Sequence, residues 1–391
     1  MSQLLNERWS ETKEALLEGL SGIRRQSMAV CLENTRKHLA ESATAGATST
    51  GNIATLNRVI LPVIRRVMPT VIANEIIGVQ PMTGPVAQIH TLRVRYADDG
   101  NNVVAGEEAL SPFKIAAAYS GNNVDATPAA QTTAILEGQP GKRMSIQILK
   151  QTVEAKSRKL SARWTFEAAQ DAQAQQGIDI EAEIMAALAQ EITAEIDQEI
   201  LASLRRLATV EETYDQSLVS GTATFVGDEH AALAIQINRV SNLIAQRTRR
   251  GAANWAVVSN QALTILQSAT TSAFARTTEG TFEAPTNTKF VGTLNNAMRI
   301  YVDAYLSDTN DNNQILVGYK GASEADAAAF YCPYIPLMSS GVVLDPATFE
   351  PVVGFLTRYG YVELSNTASS LGNAADYLAK VAITSSTVSF R

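Results

Sequence analysis

Three histidines, His38, His90 and His230, and two cysteines, Cys31 and Cys332, are the side chains best suited to ligate a transition metal or act as nucleophiles. A helical zinc pair needs two ligands three or four residues apart, so that both project from one face. None of these five has that spacing, and each histidine is read as a surface or hydrogen-bonding residue. A hydrolase elbow, Gly-x-Ser-x-Gly, is absent. The run Gly138 to Arg143 (GQPGKR) has two residues between its glycines and an Arg after its Lys, where a phosphate-cradling loop needs four residues and a Ser or Thr. It is read as a turn.

Asp308 to Asn313 (DTNDNN) starts like a calcium loop. Asn313 then stands where the sharp turn needs Gly, and Tyr319 where a bidentate Glu should close the shell. Asp98, Asp99, Glu107 and Glu108 are read as solvated or salt-bridged charges, not as an acid/base pair. No catalytic set, cofactor site or metal site can be assembled from these residues, and the sequence is read as that of a non-enzyme. Arg247, Arg249 and Arg250, in QRTRRG, form the densest basic cluster, at the end of an expected helix. Two readings stay open for them: capping of the helix dipole, or a contact between subunits.

With no chemistry to position, the elements themselves carry the information. The chain has 391 residues, beyond the roughly 250–300 at which a single core stops growing, so at least two lobes are expected. A net charge of −7 argues against nucleic-acid binding through bulk positive charge. Two distant cysteines exclude a disulfide framework and favour a cytoplasmic site of synthesis. No apolar run approaches the roughly 20 residues of a membrane span. The N-terminus, MSQLLNERWSETKEALLEGL, carries charges where a signal peptide would be apolar.

The dominant element is Gly177 to Ala208, which lacks Pro and internal Gly. As a helix it would extend about 45 Å at roughly 1.5 Å per residue. Ile180, Ile184, Leu188, Ile192, Ile196, Ile200 and Leu204 recur every fourth residue, a row that overshoots the helical turn by about 40° per step and so winds around the rod. Acidic residues open the stretch and Arg205 and Arg206 close it, complementing the dipole. It is read as one continuous spine, with an ordinary long core helix as the plainer alternative.

Ahead of it, Leu4 to Leu20 and Ile23 to Leu39 are expected as two arm helices broken at Ser21-Gly22. Leu4, Trp9 and Leu16 lie on an apolar face that has no local core to receive it, so the arm is expected to dock elsewhere. Ser42 to Asn52 has linker composition. Val86 to Tyr96 and Met144 to Val153 alternate as strands and are expected to be the legs of a projecting hairpin, with a weakly patterned segment between them. Leu160 to Gln176 should lead through a short helix to the spine. Val210 to Val226 suggests a small hairpin, and Glu229 to Arg250 a helix burying Leu233, Ile237, Val240 and Ile244. Asn254 to Ser259 reads as a buried strand in an α/β lobe, with further strands at 290–304, 315–319, 329–331, 352–361 and 378–390.

Three long collinear blocks carry a family resemblance: Met68 to Tyr96 (MPTVIANEIIGVQPMTGPVAQIHTLRVRY), Val153 to Gly177 (VEAKSRKLSARWTFEAAQDAQAQQG) running into the spine, and Gly318 to Gly360. The last includes GYKG at 318–321, CPYIPL at 332–337 and PVVGFLTRYG at 351–360. With these the sequence resembles the major capsid proteins of T-even-like contractile-tailed phages over most of Met68 to Gly360. The resemblance implies an α+β Hong Kong 97-type fold: an N-terminal arm (1–80), an extended loop (81–153), a peripheral domain (154–210 and 345–391, with the spine at 178–208) and an axial domain (211–344).

It implies subunits that form hexamers, with a related or identical chain at the pentamers, in an icosahedral shell around double-stranded DNA held without sequence-specific binding. Portal, scaffolding, vertex and decoration proteins are the implied partners, and the host bacterial cytoplasm the site of assembly. The extended loop is too short here for the inserted domain of larger relatives, so that insert's decoration role does not transfer. The resemblance also implies removal of an N-terminal peptide after a Glu, for which Glu41-Ser42 is the candidate position. Two alternatives stay open: a shell of the same fold in another setting, as an encapsulin-like compartment or minor vertex protein, and a soluble α/β enzyme, which would need a pocket of clustered polar residues.

Overall fold

The computed structural model describes residues 9–10, 13–14, 16–17, 20, 22–45, 71–100, 103–107, 109, 119–121, 130–137, 141–176, 179–219, 226–248, 250–269, 274–276, 289–295, 297–306, 313–324, 326–348, 350–364, 374–384 and 388. Helices and strands are mixed throughout, an α+β architecture. The first half contains helix α1 (Gly22–Ala45), strands β1 (Gly78–Val79), β2 (Val86–Tyr96), β3 (Met144–Glu154) and β4 (Lys156–Arg163), and helices α2 (Phe166–Gln176) and α3 (Ile180–Leu207). Next come β5 (Thr209–Tyr214), α4 (Val226–Thr248), β6 (Trp255–Val258), α5 (Asn260–Ser268), β7 (Phe274–Arg276), β8 (Lys289–Leu294) and β9 (Met298–Val302). The chain ends with β10 (Gln314–Gly318), β11 (Ala329–Leu344), β12 (Pro351–Glu363) and β13 (Leu378–Ile383). These elements divide into two compact units: Met1–Ala87, Thr152–Ala202 and Phe330–Val362 make the first, and Gln88–Gln151, Ser203–Ala329 and Glu363–Arg391 the second.

The first unit is built on a four-stranded sheet in the order β1-β11-β12-β4. On β12 the alternation is regular: Pro351, Val353, Phe355, Thr357 and Tyr359 are buried while the residues between them are half-exposed. That is the period-two signature of a sheet with one covered face. In α3, Leu188, Ile192, Ile196 and Ile200 of the expected row are buried and Ile180 and Ile184 half-buried. Each fully buried Ile or Leu of this row contributes about 1.5–3 kcal/mol. Asp197, on the same helix, is buried as well, and its carboxylate accepts the Ile72 N–H at 2.9 Å, where a single helical turn, Ala73–Ile76, begins. A buried acid is held here by an orphan helix-start donor.

Helix α1 packs in this unit too. Met28, Cys31 and Leu32 are buried, and Asn34 donates to the Met82 carbonyl at 2.6 Å and the Tyr334 carbonyl at 3.1 Å. This second arm helix therefore has a local core, and Leu16 and Leu17 of the first, expected to have none, are buried as well. Helix α1 also runs through Ala45, so the linker composition from Ser42 does not end it there. Strand β4 replaces the start of the stretch expected to lead only into a helix, because Lys156 to Tyr359 and Arg163 to Val352 are the limits of an antiparallel ladder that short-range pattern does not reveal.

The second unit contains a seven-stranded mixed sheet in the order β5-β13-β10-β6-β9-β8-β7. Leu233, Ile237, Val240 and Ile244 of α4 are all buried in its core, with Ile265 and Leu266 of α5 beside them. Strand β6 is buried along its whole length, as a strand between two others must be when both faces are covered. The Trp255 ring lies where a Cβ on Gly318 would come to 2.2 Å of it, so the neighbouring strand can carry no side chain there. Residues 290–304, expected as one strand, are the antiparallel pair β8 and β9, which turns at Asn295 with φ of 53°. Of the small hairpin expected at 210–226, the described residues show one strand, β5, and the single turn Gln216–Val219, and 220–225 lie outside them. Strand β13, expected in the peripheral segment, lies between β5 and β10 instead, where its Ala379, Val381 and Ile383 join the apolar core on one side of that sheet. Strands β2 and β3 form a separate two-stranded ribbon.

Candidate assembly surfaces

The ribbon leaves one face of β3 open. On β3, Met144, Ile146 and Ile148 alternate and so share one face, and they are 55%, 68% and 67% exposed. Lys150, next in the same register, is exposed too. At its far end the ribbon has its own small core, Tyr96, Val103, Ala109 and Tyr119, in which the Tyr96 and Tyr119 rings lie 4.6 Å apart. The Tyr119 hydroxyl donates to the Arg143 carbonyl at 2.5 Å, and Arg143 pairs with Asp98 at 3.1 Å. Hydrogen bonds from the Arg143 side chain and backbone hold the Asp98 carboxyl below its usual range. Asp99 accepts from the Ala105 N–H and Glu107 from the Val104 N–H, so these two acids pin nearby backbone, while Asp98 is salt-bridged as expected; Glu108 is outside the described residues.

In the first unit, Arg158 on β4 forms a cluster that spacing alone could not show. Its guanidinium reaches Glu195 at 2.7 Å and Glu199 at 2.6 Å, both on α3, and donates to the Tyr359 hydroxyl at 2.6 Å. The Tyr359 hydroxyl in turn donates to Glu199. Burial alone would raise the Glu199 carboxyl, but the hydrogen bonds from Tyr359 and Arg158 outweigh it and lower it. The signal that could have found half of this cluster is the four-residue spacing of Glu195 and Glu199, which puts both on one ridge.

The residues singled out from sequence are not gathered into one surface. Leu16 is buried and Trp9 is half-buried, donating to Glu33 of α1 at 3.3 Å, so both already have partners in their own chain. Leu4 and Arg249 lie outside the described residues. Arg247 pairs with Glu211 of β5, and Arg250 with Asp326. Glu41 and Ser42 stand in α1, within a hydrogen-bonded helix and not in an open linker. A protease needs extended backbone, so cleavage there requires the end of α1 to unwind first.

Of the candidate ligands, His90 is exposed on β2 and His230 is buried with Nδ1 2.5 Å from the Ser268 hydroxyl. Cys31 and Cys332 are buried, and burial pushes both thiols up to about 12. Asn313, from the calcium-like run, is buried and accepts from the Ser259 hydroxyl at 2.7 Å. Among the described residues no three His, Cys, Asp or Glu side chains converge on a metal-sized site, and no helix is long and apolar enough to cross a membrane.

The family model for the major capsid protein Gp23 matches this chain at residues 53–137 and 126–383. The chain belongs to the major capsid protein Gp23 family. The major capsid protein of Vibrio phage KVP40 is 28% identical over 86% of this chain and 82% of its own length. That of Enterobacteria phage T4 is 29% identical over 82% of this chain and 77% of its own. Among solved structures, the capsid of Myoviridae phage XM1 aligns with a TM-score of 0.43 at 9% identity, covering 78% of this chain and 89% of that one.

For a major capsid protein the relevant surfaces are those that meet other copies. The exposed row on the ribbon of this capsid protein is the clearest candidate; the sequence shows a projecting hairpin open to another chain without showing that Met144, Ile146 and Ile148 form its open face. It located both strands but could not tell which side of a two-stranded element would be left uncovered.

Proposed function

We propose that this capsid protein is the repeating subunit of an icosahedral phage head with the Hong Kong 97-type fold. The β2–β3 ribbon corresponds to the extended loop, the first unit with α3 to the peripheral domain, and the seven-stranded sheet of the second unit to the axial domain. Subunits associate head to tail and close into hexamers, with the same or a related chain at the pentamers. The ribbon reaches over the adjacent subunit. The shell encloses double-stranded DNA without reading its sequence, and its partners are portal, scaffolding, vertex and decoration proteins during assembly in the host cytoplasm.

The observation that carries this reading is the ribbon itself. Three large apolar side chains at alternate positions stand more than half exposed, a display that invites strand pairing or aggregation unless another surface covers it. Electron microscopy of the purified protein tests it. Closed shells with countable rings are expected, and a field of separate single subunits at high concentration would contradict it.

A further inference from the structure

The four-stranded sheet of the first unit has two faces of different character. Toward α3, strand β4 sends Arg158 to Glu195 and Glu199, and β12 buries Phe355, Thr357 and Tyr359. The opposite face presents Ser157, Lys159, Ser161 and Arg163 of β4, all exposed, beside their ladder partners Arg358, Leu356, Gly354 and Val352, all half-exposed. Strand β4 is also the last strand of that sheet. The Trp164 N–H donates to the Pro351 carbonyl, which makes the even-numbered residues of β4 the ones bonded to β12. The N–H groups of Ser157, Lys159, Ser161 and Arg163 therefore point out of the free edge.

Charge is divided in the same way. Those eight residues of the open face include three cations, Lys159, Arg163 and Arg358, and no acid. Two acids stand at its hairpin margin and both are engaged: Asp345 accepts the Ala347 N–H at 3.0 Å, and Glu350 lies 3.7 Å from Arg163, a loose pair that leaves the Arg163 side chain 70% exposed. Lys159 and Arg358 make no ion pair among the described residues, and the Arg358 guanidinium stands 5.3 Å from the Tyr334 ring centre. By contrast residues 166–199, covering α2 and most of α3, hold nine acidic residues and no Lys or Arg. A polyanion approaching this unit is repelled on the helix side and received on the sheet side. The spacing suits a phosphate backbone. Lys159 and Arg163 are two alternate steps apart, about 13 Å, the axial length of about four phosphates on one strand of a duplex. Arg358 stands diagonally across from Lys159 at about 7–8 Å, and Gly354 leaves the floor beside Ser161 low.

We propose that this face, with Lys159, Arg163 and Arg358 and the free edge of β4, is the wall that receives the sugar-phosphate backbone of the enclosed double-stranded DNA. This rests on the shell-subunit reading, which brings DNA within reach, and adds to it the surface and its chemistry. Lys and Arg side chains, Ser hydroxyls and backbone N–H groups are the usual phosphate donors, and contacts of that kind carry no sequence information. A strand from a second copy is the other occupant a free edge could take, but alternating Ser, Lys and Arg is the kind of pattern that keeps an edge from pairing.

The test is fluorescence anisotropy of a labelled, mixed-sequence DNA duplex with the full-length protein over a range of salt, with circular dichroism confirming that each variant folds. Each phosphate contact adds about 0.9 to the slope of log affinity against log salt. Lys159→Gln combined with Arg163→Gln should therefore make that slope shallower by about 1.8 and weaken binding at about 50 mM salt by about tenfold or more. Arg206 and Arg239, each with its side chain 76% exposed elsewhere on the chain, serve as controls, and changing both to Gln should leave binding as in wild type. No binding by the wild type, a double variant that binds with wild-type affinity and slope, or controls that lose as much would each overturn the proposal. So would a double variant that keeps its duplex binding but sediments differently, since the edge would then be meeting another copy. Sedimentation without DNA reports on the shell-subunit reading separately. Shells that form while the duplex stays unbound sink this surface alone; duplex binding, sensitive to Lys159 and Arg163, by a protein that never assembles sinks the shell reading and leaves the phosphate-binding face standing.

Discussion

Asp303 is fully buried with its carboxylate 2.6 Å from Arg205, which itself is only 16% exposed, and its other oxygen accepts the Tyr305 N–H at 3.1 Å. Breaking such a pair leaves a charge in a low-dielectric setting, and Arg205→Ala should cost about 3 kcal/mol. A shift in the urea midpoint reads this; an unchanged midpoint would show that the pair contributes nothing. Glu199 and Glu211 contribute to the acid limit. Burial would raise both, yet Tyr359 and Arg158 at Glu199, and Thr209 and Arg247 at Glu211, hold them below the ordinary glutamate value of 4.5. Because both folded-state values are depressed, the unfolded chain takes up these protons first as pH falls. Their stabilisation is complete above pH 4.5 and is lost as pH drops through the lowered values. Urea midpoints should therefore fall on going from about pH 5 to about pH 3, and Glu199→Gln should flatten part of that fall. An equally steep fall in the variant would remove Glu199 from the explanation.

Strand β10 runs past Trp255 at Gly318, where an added Cβ would stand 2.2 Å from the ring. With the ring fixed in a packed core, Gly318→Ala should cost about 1–3 kcal/mol, measurable as a lowered denaturation midpoint, and wild-type stability would mean that the ring can move aside. The sequence revealed elements of this kind unevenly. Helices α3 and α4 were legible because a buried helical face imposes its own period, and Leu233, Ile237, Val240 and Ile244 show it without reference to anything distant. Strands β2 and β6 were legible for the same local reason. Strand β4 and the length of β11 were not, since their ladders join residues about two hundred positions apart or run through Pro333 and Pro336, which argue locally against a strand. Strand β13 was visible, but its membership in the seven-stranded sheet depends on where β5 and β10 leave a gap. The candidate surfaces fared worse. Arg247 and Arg250 stand out in the sequence as part of its densest basic cluster, but each already has an acid within its own unit. The ribbon's apolar row announces itself only when its uncovered side is seen.

At the scale of the whole molecule, the chain divides into units with well-formed cores and one ribbon whose apolar face has no cover. The arm, expected to depend on neighbours, is partly satisfied at home through Met28, Cys31, Leu32 and Asn34. The demand for other copies therefore falls on the ribbon more than on the arm. Association by such a face is driven mainly by apolar burial and grows with concentration. Light scattering on the purified full-length protein over a range of concentrations tests this most directly. A mass that rises to that of rings or closed shells, and that is lost when Ile146 and Ile148 are both changed to Ser, is the expected result. A mass that stays at one subunit throughout, or assembly indifferent to those two substitutions, would contradict it.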